Sequence, residues 1–506
     1  MIHGKNRRNS VIRAVFVGIS LCIQVGWLLL VILKLNQYSA YIALLTNVLA
    51  SLVVLRLYSK RTNSAYRMPW IMVMMALPVM GLSLYLITEV ALSPRHIHRR
   101  VKNIQKKTFP YLNQGKAGEA LARLDKPSGN LSQYLWNYAH APVYGSTDAR
   151  YYGHGAAALP ELLQDLEQAE SFIFMEYFIV EDKQSFGRIR EVLARKAAEG
   201  LDVRLMYDDI GSIGYVNWDF ARELNAQGIR CQVFNPALPI LRLFMNHRDH
   251  RKITVIDGKI GYTGGYNLAD AYFGLEFPYG LWKDTGLRLE GEAVKSLTAT
   301  FLELWAITSR KEEYFGRFLE ISHSVPGSGY VQPYSDSPLD GEQTAENVYI
   351  NLLSQAQDYA WFMTPYLIIT DELARALELA AKRGVDVRII TPGIPDKKAV
   401  WAVTRSYYTR LVENGVRIFE YAPGFCHGKM CVRDGETAVV GTSNLDYRSL
   451  YLHFENNVVL YGCDCLKDMK ADFVETFAQC REVTDIRRSA PARLRESILR
   501  LFAPML

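Results

Sequence analysis

Three long apolar stretches fill the first hundred residues, and beyond them the apolar pattern changes its period. Val15 to Leu33 is almost wholly apolar, Tyr41 to Leu57 is nearly so, and Trp70 to Leu92 carries only Glu89 as a charge. A helix rising about 1.5 Å per residue needs about 20 apolar residues to cross a bilayer, so each stretch predicts a membrane helix. The first is too long, and too closely followed by others, to read as a cleaved signal peptide. Pro78 and Gly81 in the middle of the third suit a bent or re-entrant element. Buried core helices are the competing reading. Three such stretches in a row, ahead of a polar region, weigh against it.

From about residue 155 the pattern alternates between helical and strand periods. Leu159 to Ala169 reads as an amphipathic helix, Ser171 to Val180 as a buried strand, Ser185 to Ala198 as a helix, and Asp202 to Tyr207 as a strand after a turn at Gly200. The same order then recurs. Val348 to Gln357 is helical, Ala360 to Tyr366 a strand, Asp371 to Lys382 a helix, and Val385 to Ile390 a strand after Gly384. The match extends to single residues: 197–205 reads AAEGLDVRL against AKRGVDVRI at 381–389, and 224–230 reads LNAQGIR against LVENGVR at 411–417. Several matches in one order predict a duplicated α/β fold in which each half supplies part of one site. The Ser/Gly/Pro-rich stretch Ser322 to Pro338, which carries His323, reads as the linker between halves.

Each half carries the same small motif. The first has His250, Lys252 and Asp257 followed by Gly264 and Asn267; the second has His427, Lys429 and Asp434 followed by Gly441 and Asn444. A single His-x-Lys-x4-Asp is a weak signal, but two copies at equivalent places of a repeat, each with Gly and Asn at matching distances, are a strong one. On a strand, residues two apart face the same side, so each His and Lys point together. An imidazole beside an ammonium suits a phosphate. Doubling gives two His, two Lys and two Asn around one phosphodiester, with Lys252, Asn267, Lys429 and Asn444 holding its oxygens. One His then attacks phosphorus while the other protonates the leaving alcohol. Lysine is not a usual metal ligand, and no cluster of metal-binding spacing accompanies it, so the expected chemistry needs neither metal nor cofactor. Asp257 and Asp434 belong to the catalytic motif by spacing; they stand before Gly258 and Gly435, where turns are expected, and so read as braces. Asp284 and Glu455 are the candidates for orienting the two imidazoles through Nδ1. Surface carboxylates are the plainer reading of both. His247 reads as a neighbour of the motif. Glu176 to Phe178 and Thr364 to Tyr366, at equivalent strand ends, either line the entrance or pack in the core.

Charge refines this only locally. With 58 Lys+Arg against 52 Asp+Glu, the net charge of +6 gives no case for nucleic acid. Lys5, Arg7, Arg8 and Arg13, the Arg56 to Arg67 loop, and the Arg95 to Lys107 run all favour the inner side of a membrane, which puts the catalytic part in the cytoplasm. The last run either holds anionic lipid headgroups or is an ordinary stop-transfer flank. Seven scattered cysteines do not form a disulfide framework, and Cys463 and Cys465 lack a partner pair for a metal site.

Two such motifs in a duplicated α/β chain resemble the phospholipase D superfamily. Within it, the apolar N-terminus, the Gly264 to Asp270 segment and the Gly441 to Leu450 segment look like bacterial cardiolipin synthases, over essentially the whole chain. The resemblance implies a duplicated phospholipase D-like α/β sandwich behind N-terminal transmembrane helices: a membrane anchor over 1–95, a basic linker and connecting segment over 96–145, and the two halves over 146–325 and 326–506. It implies a multi-pass protein of the bacterial cell membrane. Its reaction would transfer a phosphatidyl group from one phosphatidylglycerol to another through a phosphohistidine, with His250 as nucleophile and His427 as acid and base. Gly265 in place of Ser, Asp249 before the His, and His453 in place of Asn depart from the usual pattern and touch substrate preference. Phosphatidylglycerol and anionic membrane lipids are then the partners. A hydrolase acting on the same donor, a nuclease of the same superfamily and a non-catalytic scaffold are the rival readings.

Overall fold

The computed structural model describes residues 40–59, 64–86, 95–236, 247–311 and 313–485, with a few isolated positions elsewhere. The apolar stretch 15–33 falls almost entirely outside these residues. The next forms the helix Ala40–Ser59, and the third is broken into Ser64–Ala76 and Pro78–Tyr85 at Leu77. Proline has no N–H and clashes with the preceding turn, so Pro78 can open a helix but cannot continue one. Leu57, Trp70, Met74 and Tyr85 pack these three helices together. Among the described residues no helix is long and apolar enough to cross a membrane.

Two sheets with one strand order make up the rest. The seven-stranded sheet runs Thr147–Tyr152, Gly286–Gly291, Ile260–Gly264, Lys252–Ile256, Phe172–Tyr177, Asp202–Asp208, Arg230–Phe234. The second runs Tyr330–Asp336, His453–Tyr461, Thr437–Gly441, Met430–Arg433, Tyr359–Met363, Asp386–Pro392, Arg417–Tyr421, and adds Cys480–Glu482 at its edge. Position by position the order and the strand directions repeat. The two sheets share one apolar core that takes in Phe174 and Ile253 from the first, Trp361 and Val440 from the second, and Phe301 and Phe473 from the helices Val294–Ser309 and Cys465–Ala478. Further helices cover each outer face. Strands covered on both sides read as unbroken apolar runs, which is why Phe172–Tyr177 and Tyr359–Met363 are buried throughout.

The stretch read as a linker is corrected here. Tyr330–Asp336 is the first strand of the second sheet, paired antiparallel with His453–Tyr461. Pro333 and the many small polar residues disguised it; proline is tolerated because this is an edge strand. The segment between the apolar stretches and the first sheet also packs on both halves. Arg95–Thr108 lies on Val294–Ser309, with Arg100 Nη2 donating to the Ala306 carbonyl at 3.1 Å. Lys126–Ala139 lies on the second half, where Gln332 Nε2 donates to the carbonyls of Ser132 and Ala141.

Candidate active site

Each motif is placed by a hairpin. In the first half Lys252–Ile256 turns back into Ile260–Gly264, and in the second Met430–Arg433 turns back into Thr437–Gly441. The turns open on Asp257 and Gly258 (φ 54° and 66°) and on Asp434 and Gly435 (φ 52° and 72°). Asp-Gly suits these left-handed positions, since Asp tolerates them and Gly has no Cβ to clash. Asp257 then accepts from the backbone N–H of Glu170, Ser171 and Phe172 at 2.7–2.9 Å. Asp434 does the same for Gln357, Asp358 and Tyr359 at 2.8–2.9 Å. Both carboxylates therefore tie the hairpin to the start of the central strand. Their grouping with the catalytic residues is corrected: neither lines the cavity that holds the histidines.

The strands carry His250 and His427 to the junction of the two halves, where two short parallel pairings stitch them together. Arg248–Asp249 pairs with His453–Phe454, and the His250 N–H donates to the Phe454 carbonyl at 3.0 Å. Symmetrically, Leu281–Lys283 pairs with Gly424–Cys426, and the His427 N–H donates to the Lys283 carbonyl at 2.6 Å. Each pairing brings a carboxylate from the opposite half under an imidazole. His250 Nδ1 lies 2.9 and 3.0 Å from the oxygens of Glu455. His427 Nδ1 lies 2.7 Å from Asp284 Oδ2. Asp284 and Glu455 are fully buried. With Nδ1 donating to the carboxylate, each ring keeps its Nε2 lone pair for the cavity.

Supporting contacts differ between the halves. Glu455 also accepts from Thr442 Oγ1, whereas Asp284 accepts from the Thr285 N–H at 2.8 Å. The position equivalent to Thr442 is Gly265, and a Cβ there would lie 2.0 Å from Asp284 Oδ1. The first half therefore has no room for the Ser that is usual at this position.

Lys252 and Lys429 each donate Nζ to the carbonyl of the histidine two residues earlier, at 2.5 Å. Asn267 and Asn444 line the cavity with the histidines. Asn267 Oδ1 accepts the Ile179 N–H at 3.0 Å, and Asn444 Nδ2 donates to Asp446 at 3.0 Å. The cavity, about 410 Å³, is walled by aromatic rings. Phe178 stands edge-on to His250 at 5.0 Å, and Tyr272 edge-on to His427 at 5.2 Å. Trp282 and Phe425 close the His427 side. A larger cavity of about 460 Å³ lies elsewhere, between Arg95–Thr108 and Val294–Ser309, and contains none of these histidines.

Burial dominates the protonation of the site. It pushes the His250 imidazole well below its ordinary value, helped by the Lys252 and Lys429 ammonium groups, and it pushes His427 down to about 4. It also lowers Lys252 to about 7 and Lys429 to about 8. The site thus holds two neutral imidazoles and two ammonium groups under strain, and an anion between them relieves both. His250, His453 and Glu455 bring three ligand-type atoms within 4.8 Å of one another, but the neighbouring Lys252 and Lys429 oppose a cation there.

Other sequence expectations are distributed around this centre. His247 gives Nδ1 to the Leu452 carbonyl, and His323 sits by Glu290 outside the cavity. Phe178 and Tyr366 line the cavity, while Glu176 is buried behind it near Arg251 and Asp249. The sequence reading missed Tyr272, Trp282, Phe425, Tyr447 and Arg448. Aromatic density around the motif was the one signal for the four rings, and it is shared with the core; Arg448 had none.

The family described as "Cardiolipin synthase, PLD-like domain" matches residues 162–305 and 349–477. A cardiolipin synthase of Geobacillus sp. is 34% identical over 87% of this chain and 89% of its own length. An uncharacterized protein of Streptococcus mutans is 41% identical over 90% of this chain and 99% of its own. The crystal structure of a Haemophilus influenzae phosphatidylserine synthase superposes with a TM-score of 0.56 at 15% identity, over 74% of this chain and all of that one, a likeness of fold.

Proposed function

We infer that this chain, which belongs to the phospholipase D-like cardiolipin synthase family, joins two phosphatidylglycerol molecules into cardiolipin and glycerol. The observation that carries the reading is the pair of crossed His–carboxylate contacts, His250 with Glu455 and His427 with Asp284, which present both imidazoles to one cavity, with Lys252 and Lys429 buried beside them rather than lining it. The donor phosphodiester takes its place in the cavity between the two imidazoles, with Asn267 and Asn444 at its flanks and the charges of the buried Lys252 and Lys429 behind them. His250 Nε2 attacks phosphorus, and the P–O bond to glycerol breaks. His427, which takes up a proton once the anion offsets the lysine charges, gives that proton to the leaving oxygen. His427, now neutral, removes the proton from the terminal hydroxyl of a second phosphatidylglycerol. That oxygen displaces His250 and forms cardiolipin. The carboxylates hold each ring in the tautomer these steps need and stabilise the imidazolium that forms.

The apolar N-terminal stretches supply the membrane anchor in this proposal, with the catalytic halves on the cytoplasmic side and the basic Arg95–Thr108 helix against anionic lipid. A cysteine introduced at exposed Glu199 tests sidedness: labelling in intact cells by an impermeant thiol reagent would reverse it. Purified enzyme with labelled phosphatidylglycerol tests the reaction. Cardiolipin with released glycerol is expected, and phosphatidic acid alone would make the enzyme a hydrolase. Acid-quenched samples analysed by mass spectrometry should carry the phosphatidyl group on His250; finding it on His427 would exchange the two roles.

A further inference from the structure

Among the described residues two cations outside the motifs line the cavity, Lys397 and Arg448, and Lys397 is already paired with Asp396 at 2.9 Å. Arg448, on the short helix Tyr447–Tyr451, lines the cavity beside His453 and makes no ion pair among the described residues. Its Nε donates to His453 Nε2 at 3.3 Å. Among the described residues its guanidinium makes no other hydrogen bond, so the fork of two Nη groups is without a partner. The closest acid in sequence, Asp446, is committed elsewhere: it caps the helix through the Ser449 N–H at 2.8 Å and accepts from Asn444. Behind the site Arg248 already satisfies Asp208. A mostly buried, unpaired guanidinium facing a cavity is costly unless an anion comes to it. His453 accounts for its aim. By accepting the Nε–H, the neutral imidazole holds the guanidinium so that its bidentate edge stays open, the edge that matches a phosphate. His453 also lies 5.4 Å from the His250 ring, which places this edge next to the reacting phosphorus rather than at the outer rim.

The reaction proposed above needs two phosphates in the cavity at once. The donor phosphate sits between the two imidazoles. The acceptor phosphate follows the attacking hydroxyl by the three carbons of its glycerol, and the motif residues provide nothing further for it. We propose that Arg448 binds the phosphate of the acceptor lipid and that His453 is its positioning residue. The aromatic wall of Tyr272, Trp282 and Phe425 on the other side lacks a comparable unpaired charge, so this subsite separates a phosphate-bearing acceptor from water and from neutral alcohols.

This inference rests on the transferase reading, and its test separates the two. Full-length enzyme in mixed micelles receives labelled phosphatidylglycerol as both donor and acceptor, with ethanol as a competing neutral acceptor, and cardiolipin, phosphatidylethanol and phosphatidic acid are counted together. Wild-type enzyme that releases phosphatidic acid alone would refute the transferase reading itself. For Arg448→Gln, the ratio of cardiolipin to phosphatidylethanol is expected to fall about 10- to 100-fold, the loss of one or two charge-assisted hydrogen bonds. Arg448→Lys is expected to fall less, since it keeps charge and loses the fork. His453→Asn, which can still accept from Nε, is expected to retain most of the ratio that His453→Ala loses. Product ratios equal to wild type in Arg448→Gln, whether total activity holds or drops, would overturn the acceptor subsite. Equal ratios in the two His453 variants would overturn the positioning role.

Discussion

Replacing Lys252 by methionine should make the enzyme, without added substrate, more stable near neutral pH while abolishing its activity. The Lys252 side chain is fully buried, and burial carries its pKa from 10.5 to about 7. The unfolded chain therefore holds a proton on this lysine between those two values that the folded chain gives up. Stability rises with pH across that window and levels off below about pH 7. At about 1.4 kcal/mol for each tenfold in proton affinity, the penalty at pH 7 is about 4 kcal/mol, and it shrinks to about 2 kcal/mol at pH 9. Methionine fills a similar volume and removes the penalty, but it strands the His250 carbonyl that Nζ now satisfies at 2.5 Å, a loss of about 1 kcal/mol. The variant should thus gain about 3 kcal/mol at pH 7 and become slightly less stable than wild type near pH 10.5. Thermal midpoints of both proteins, measured from pH 6 to 11 in one detergent, give the difference directly. Inorganic phosphate should raise the midpoint of the wild type more than that of the variant, because the anion relieves the same charge. A difference that does not change with pH, or a variant less stable at pH 7, would refute the claim that the lysine is held at a cost.

The free enzyme should lose kcat/KM above about pH 7 to 8 as Lys252 and Lys429 deprotonate, while kcat should hold to higher pH because bound phosphate restores their protons; a common alkaline limb for both would contradict this. Gly265→Ala should push Asp284 off His427 and lower kcat by about 10²- to 10⁴-fold, whereas Thr442→Ala, which removes one hydroxyl from Glu455, should cost about tenfold; steady-state rates decide. Asp257→Ala should lower stability by about 2 to 4 kcal/mol, from three lost N–H contacts at a left-handed residue, with kcat per folded molecule retained; urea unfolding with active-site titration checks both. With His250 as nucleophile and His427 as acid and base of both steps, Glu455→Gln and Asp284→Asn should each slow turnover, and any phosphatidyl group trapped in quenched samples of either variant should sit on His250; finding it on His427 would exchange the histidines.

Much of the fold was legible because it is written in short-range pattern. Helices and strands of the first half follow from period and turn residues, and the repeat of Gly-x-Asp-Val-Arg around Gly200 and Gly384 announced the second half. The elements observed, such as Gln184–Ala198, Asp202–Asp208 and Asp371–Lys382, fall within a residue or two of that reading. Where the pattern failed, a local signal was outvoted by a distant partner. Tyr330–Asp336 has Pro333 and small polar neighbours, yet His453–Tyr461 gives it a ladder along its full length. Arg448 was hidden for a related reason. In sequence it is one more helical arginine, and only the removal of every nearby carboxylate to other partners makes it unusual.

The catalytic carboxylates carry this furthest. Asp284 and Glu455 could be named from sequence as candidates, because each lies downstream of a motif, Asp284 after Trp282 and Lys283 and Glu455 between Phe454 and Asn456. Which histidine each serves could not, since the nearest in sequence is the wrong one in both cases. The exchange comes from two short parallel pairings, Arg248–Asp249 with His453–Phe454 and Leu281–Lys283 with Gly424–Cys426, that leave no periodicity to read. Its consequence is chemical as well as geometric. A half that folded by itself would present an imidazole without its carboxylate acceptor for Nδ1, free to take either tautomer, beside a buried lysine deprived of its largest attractive partner, Glu455 for Lys252 and Asp284 for Lys429. Each half therefore completes the other's histidine, and the two motifs cannot act as separate sites. The duplication is preserved in strand order and hairpin turns, where either half can satisfy itself. It is broken at Gly265 against Thr442, beside the orienting carboxylates, where two unlike steps, attack on phosphorus and proton transfer to an alcohol, ask for two unlike histidines.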